Sequence, residues 1–276
     1  MNRVQQAFAD ARSEGRGALV IYMTGGFPNL AESGELFKAI DGAGADIIEV
    51  GLPFSDPIAD GPTIQAASQQ ALSRGTSVAG ILEMLAGIKA GLSAPLVIMG
   101  CYNPILAYGL KEFADDAVSA GVSGVLIADL PPEESDNWCA TAAASELATV
   151  FLLAPTTKDE RFDQIVSRTT GFVYVLSHQG VTGVRDTLPA GVPDLVTRVK
   201  QHTQTPVAVG FGVSNARQVA SVCAVADGAI VGSAVVSAVA EQETADGRLQ
   251  TVQKVVSQLA TGCRASAASA RTQETT

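Results

Sequence analysis

The sequence predicts an α/β protein folded as a single (β/α)8 TIM barrel, with an extra helix after the second strand. Short apolar runs recur at roughly 25-residue intervals, each followed by a longer stretch with helical spacing, the alternation expected of βα units on a parallel sheet. Hydrophobic residues make up 47% of the 276 residues and charged residues 17%, with a positive mean hydropathy, as expected when strands are covered on both faces. No long linker or composition shift divides the chain, which favours closing eight strands into a barrel over an open doubly wound sheet.

In chain order, the first strand is read at Leu19–Thr24 and its helix at Leu30–Gly42, with Gly44 just beyond the helix end, where a left-handed residue closes the turn. Strand 2, Asp46–Gly51, leads into two helical segments, Thr63–Ser73 and Val78–Ala90, with Ser77 as N-cap of the second and no strand between them. Leu96–Cys101 is followed by a helix at Lys111–Ala120, ended by Gly121. The remaining pairs are Gly124–Asp129 with Glu133–Ala144, Thr149–Ala154 with Lys158–Arg168, Phe172–Ser177 with Val192–His202, and Val207–Phe211 with Ala216–Val225, the last helix capped by Ser214. Ala229–Gly232 is the eighth strand, and Leu249–Leu259 is a final amphipathic helix. The barrel domain is therefore drawn over residues 1–260. Residues 261–276, rich in Ala, Ser and Thr without an apolar stripe, are expected to be a disordered tail.

Charge and composition exclude several classes. A net charge of −10 leaves no basic stripe for nucleic acid and disfavours an anionic membrane surface. Apolar runs such as Ala18–Met23 fall far short of a membrane span, and the polar N-terminal stretch lacks the apolar region of a signal peptide, so a cytoplasmic protein is expected. Cys101, Cys139, Cys223 and Cys263 are widely spaced with no CxxC pair, which argues for reduced thiols over zinc ligation or a disulfide framework. With only His178 and His202, a histidine metal cluster is not expected, although this count does not bear on a carboxylate-held magnesium.

Chemistry concentrates where strand 2 gives way to its loop. In a barrel, functional side chains sit at the C-terminal ends of strands, and Glu49 occupies such an end among Ile47, Ile48 and Val50. Desolvation there disfavours the ionised form and suits a carboxyl to proton transfer near neutral pH; the alternative is a buried ion pair. Asp60, before Gly61-Pro62, is either a turn or N-cap carboxylate or a second functional acid, and Asp56 before Pro57 carries the same alternatives. Glycine-rich turns follow the last three strands at Gly180–Gly183, Gly210–Gly212 and Gly232-Ser233, where main-chain amides and a helix N-terminus can hold a phosphate without Lys or Arg. Tyr174 either packs inside the barrel or donates into the site. Tyr22, Met99, Leu126, Leu152 and Phe211, near strand ends, either wall a flat aromatic pocket or are core.

Taken together, the Glu49–Thr63 segment, the stretch from Tyr174 to Gly183 and the two late glycine turns resemble the α subunits of tryptophan synthase, over nearly the whole chain up to about residue 240. The resemblance implies a (β/α)8 lyase that cleaves indole-3-glycerol phosphate into indole and glyceraldehyde 3-phosphate. It implies no cofactor in this chain, and a β-subunit partner in an α2β2 complex that condenses the indole with serine using pyridoxal phosphate. Carried over by motif, Glu49 is the general acid/base and Asp60 the carboxylate that meets the indole N–H. Tyr174 matches the active-site tyrosine, and Thr182 and Gly183 a closing loop. Gly183, Gly212, Gly232 and Ser233 match phosphate-binding positions, and Asp56 and Pro57 lie on the partner-contact loop. Two departures stand out: Tyr22 where phenylalanine is common, and His178 where arginine is common.

Overall fold

In the computed structural model, the described residues are 1–57, 60–177, 191–210 and 212–273, with side chains described as far as residue 264. Eight parallel strands close into a barrel in chain order. They are β1 (Ala18–Thr24), β2 (Ile47–Gly51), β3 (Leu96–Gly100), β4 (Val122–Ile127), β5 (Ala148–Leu153), β6 (Val173–Leu176), β7 (Val207–Gly210) and β8 (Gly228–Val231). Each lies within two residues of its expected bounds. Their side chains are almost entirely buried, because the interior is packed and helices cover the outside.

The helices are α1 (Arg3–Ser13), α2 (Leu30–Gly42), α3 (Pro62–Ser73), α4 (Val78–Ile88), α5 (Tyr102–Tyr108), α6 (Leu110–Ser119), α7 (Asp136–Ala144), α8 (Phe162–Ser167), α9 (Gly191–His202), α10 (Ala216–Cys223), α11 (Ser233–Ala240) and α12 (Ala245–Gln273). The doubled helix after strand 2 is α3 with α4, and Ser77 caps α4 through its side chain to the Gly80 amide, 3.1 Å away. Gly44 and Gly121 take φ of +102° and +89°, the left-handed closure expected of them. The cap of α10 is Asn215 instead of Ser214; Ser214 donates its amide and its hydroxyl to Gln218 Oε1.

Three helices, α1, α5 and α11, were not expected from the sequence, and α12 does not stop at residue 260. Its buried positions Val252, Val256, Leu259, Ala260 and Cys263 form one helical stripe that crosses the expected domain boundary, while the Ala-rich segment beyond favours helix over coil. Helical backbone thus extends to Gln273, through most of the segment expected to be a disordered tail.

The strand register sorts the side chains by face. Tyr22 pairs with Glu49, Glu49 with Val97, Met99 with Leu126, Leu152 with Tyr174, Tyr174 with Ala208, Ala208 with Gly228 and Gly228 with Ala18. Paired residues of parallel strands share a face and alternate residues of one strand share it too. Tyr22, Glu49, Met99, Leu126, Leu152 and Tyr174 therefore all project from one face, the inner one. At the floor of the barrel, where the strands begin, Phe8 of α1 packs against Phe172 with ring centroids 5.4 Å apart, and Phe172 in turn stacks toward Tyr174 at 6.2 Å. Helix α1 thus plugs the floor, and the opposite end is left as the mouth.

Candidate active site

Glu49 reaches its position because β2 runs apolar to its end and places every second side chain inward. The residue is fully buried. Loss of water, and after it the nearby Asp60, pushes its carboxyl up to about 8. Neither carboxylate oxygen has a hydrogen-bond partner among the described residues, so the alternative of a buried ion pair is not realised there. An unpartnered buried carboxyl is costly to a fold, and its presence at a strand's C-terminal end marks a position kept for chemistry.

Asp60 stands on the loop between β2 and α3. The N-cap of α3 is Gly61, with no side-chain cap bond and Pro62 in the first turn, so Asp60 does not cap this helix. Its main-chain oxygen accepts from Gln65 Nε2 at 2.8 Å, and burial raises its carboxyl above the ordinary range. Asp56, on the same loop, is exposed and accepts from Ser55 Oγ at 2.6 Å, while Pro57 is half-buried.

Two phenols flank the acids. A Cβ on Gly51 would collide with the Tyr22 hydroxyl, and one on Gly210 with the Tyr174 hydroxyl, so each ring lies in space that a strand-end glycine leaves open. Tyr22 Oη also lies 3.4 Å from Thr24 Oγ1. Burial raises both phenols above their usual range and keeps them as neutral hydrogen-bonding groups.

The mouth opens as a cleft lined by Tyr22, Pro57, Asp60 and Met99 together with Leu52, Phe54, Gly100, Cys101 and Ala128. The last five were not singled out in the sequence. Gly100 ends β3 and the other four stand one to three residues past a strand end, so the position rule that found Glu49 could have found them as well. Glu49, Leu126, Leu152 and Tyr174 share the inner face but lie off this lining. Farther round the barrel, Gly212 follows β7 with φ of +82°, and Gly232 is the N-cap of α11, with Ser233 its first residue. The amides that open a helix lack partners within it, and they present a positive end. Thr182, Gly183, Phe211 and His178 lie outside the described residues. Among the described residues, no group of three or more His, Cys, Asp or Glu side chains is placed to hold a metal ion, and no helix is long and apolar enough to cross a membrane.

A closed eight-stranded barrel with a protonatable, water-starved carboxyl on its inner face, near a strand's C-terminal end, defines a (β/α)8-barrel enzyme of the acid/base kind. The comparisons with known proteins narrow this class. The family model for the tryptophan synthase alpha chain matches residues 8–268. Alpha chains from Chloroflexus aggregans and Carboxydothermus hydrogenoformans are 45% and 48% identical, covering 93% and 86% of this chain and 98% and 88% of theirs. A structure of Mycobacterium tuberculosis tryptophan synthase superposes with a TM-score of 0.88 at 38% identity, covering 95% of this chain and 98% of that one. The alpha subunit of Legionella pneumophila gives a TM-score of 0.85 at 32% identity, covering 96% and 99%. The chain belongs to the tryptophan synthase alpha chain family. Its activity is that of a lyase of tryptophan biosynthesis, the cleavage of indole-3-glycerol phosphate to indole and glyceraldehyde 3-phosphate, with the indole passed to a β subunit.

Proposed function

We propose that Glu49 and Asp60 divide the chemistry of this cleavage between them. Breaking the bond from indole C3 to the glycerol chain requires a proton on C3, removal of the proton from the hydroxyl on the adjacent chain carbon, and relief of the positive charge that C3 protonation places on the ring nitrogen. Glu49, held protonated near neutral pH by burial, gives its proton to C3. The resulting carboxylate takes the hydroxyl proton as the carbon–carbon bond breaks, the bonding electrons return to the ring, and an aldehyde is left on the glycerol fragment. Asp60 accepts from the ring N–H and stabilises the charge that develops there. The observation that carries this reading is the Glu49 carboxyl, fully buried on the inner face with neither oxygen partnered among the described residues.

Tyr22, Met99, Leu126, Leu152 and Phe211 wall the indole ring in this reading, and Tyr174 hydrogen-bonds in the site. The phosphate is held by the amides of Gly183, Gly212, Gly232 and Ser233, with Thr182 on a loop that closes over the substrate and excludes water. Asp56 and Pro57 contact the β subunit in a cytoplasmic α2β2 complex. Pyridoxal phosphate belongs to that partner, and the cleavage step itself draws on no cofactor in this chain. Incubating the purified chain with indole-3-glycerol phosphate and assaying indole, with and without a β subunit, tests the reaction. A Glu49→Gln chain that still released indole at the parent rate would refute the assignment.

A further inference from the structure

Cys223 and Cys263 are 40 positions apart in sequence, yet their sulfurs lie 3.6 Å apart, in S–H···S contact. The fold produces this proximity through one close helix crossing. A Cβ on Gly262 would run into the Ala216 carbonyl and the Val219 side chain, so the missing side chain lets α12 settle directly onto α10. Ala216, Val219 and Cys223 lie on one face of α10, and the crossing that seats Gly262 on the first two sets Cys263 against the third. Cys263 is 1% exposed, whereas Cys223 is half-buried at the C-terminal end of its helix, beside Gly17 at the barrel floor.

We infer that Cys223 and Cys263 are a modification site for hydroperoxides, an oxidisable pair that closes into a disulfide and ties the C-terminal helix to α10. The order of events follows from the two environments. Its hydrogen bond with Cys223, and then burial, raise the Cys263 thiol far above its usual range and keep it protonated. Cys223, the less buried residue of the two, is therefore the one that attacks a peroxide oxygen. The O–O bond breaks, Cys223 becomes a sulfenic acid, and the other oxygen leaves as water or alcohol with the thiol proton. Cys263 sulfur then attacks the Cys223 sulfur; the S–O bond breaks, and the departing hydroxide takes the Cys263 proton to leave as water. Two thiols are oxidised by two electrons in all, and one peroxide is reduced. Sulfurs already in contact need only a small approach to bonding distance, and the link closes a long loop of the unfolded chain. The site lies at the floor, away from the Glu49 mouth, so the expected consequence is greater stability with unchanged cleavage.

The test is peptide mapping of the full-length chain under non-reducing conditions after treatment with a slight excess of hydrogen peroxide. The expected result is a cross-linked pair of peptides containing Cys223 and Cys263, with Cys101 and Cys139 still titrating as thiols. The oxidised chain is expected to melt roughly 5–10 °C above the reduced one, reversibly on adding dithiothreitol, with unchanged indole release. Cys223→Ser is expected to abolish both the cross-link and the peroxide-dependent shift. A map in which Cys223 proceeds to sulfinic acid while Cys263 remains a thiol would overturn the inference, and so would a cross-link without any rise in melting temperature.

Discussion

The two ends of the barrel treat charge in opposite ways. At the floor, Arg16 sits on Asp46 with both terminal nitrogens, at 2.7 and 2.8 Å, and Asp46 also accepts from the Leu19 amide at 2.7 Å. Asp227 likewise gathers Arg12 at 2.7 Å, Lys200 at 3.1 Å and the Val207 amide at 2.9 Å. These acids satisfy the backbone groups where strands begin, and basic side chains neutralise them. At the mouth, Glu49 is more deeply buried than either floor acid, yet neither of its oxygens has a partner among the described residues. Proteins accept such unbalanced groups where they use them, and the contrast separates the end that stabilises the barrel from the end that reacts.

The strongest way to break the comparison is at the mouth. Glu49→Gln is expected to lower kcat for indole release by about 10²–10⁴-fold, because it removes a proton donor and acceptor while keeping the shape of the side chain. Asp60→Asn should cost about 10²–10³-fold, as the loss of one electrostatic stabiliser does, with the circular dichroism spectrum unchanged. The rate should fall on the alkaline side as pH passes about 8, where Glu49 loses its proton, and that limb should be missing from the residual activity of Glu49→Gln.

Stability should show the opposite pattern. The folded-state pKa of Glu49 is raised above that of the unfolded chain, so the folded state binds more protons between those two values. Stability is therefore fully present below the unfolded pKa and is lost as pH rises through about 8. Glu49→Gln should accordingly be more resistant to urea than the parent at pH 9, by ~2–4 kcal/mol, with the advantage shrinking as pH falls toward 5. At the floor, Asp46→Ala should leave kcat intact and cost ~1–3 kcal/mol in the same urea titration, since it leaves the Leu19 amide unpaired and removes two of the bonds of the largely buried Arg16, which keeps Glu14. A floor variant that lost activity without losing stability would erase the distinction.

The barrel itself was legible because eight apolar runs with turn residues between them leave few other ways to bury that much surface. The elements that escaped notice each lack the signal that reading depends on. Helix α1 carries only a few buried apolar residues, Val4, Phe8 and Ala11, amid charged and amide side chains. Helix α5 is short and holds Pro104, and α11 is only eight residues of Ala, Val and Ser, too short and too weakly polar for its period to stand out. The end of α12 was missed because Ala260 and Cys263 are too small to register as a stripe. At the site, Glu49 stood out as an acid inside an apolar strand, whereas Leu52, Phe54 and Ala128 are apolar residues in loops and gain meaning only when the barrel brings them together. That Asp60 leaves the cap of α3 to Gly61 was likewise settled only by the folded loop.

The plug formed by Phe8 and its helix has a consequence for traffic. Among the described residues that seal closes the base, so traffic is expected through the end where Asp60 stands. A receiver of the indole is therefore expected at that rim and not beneath the base.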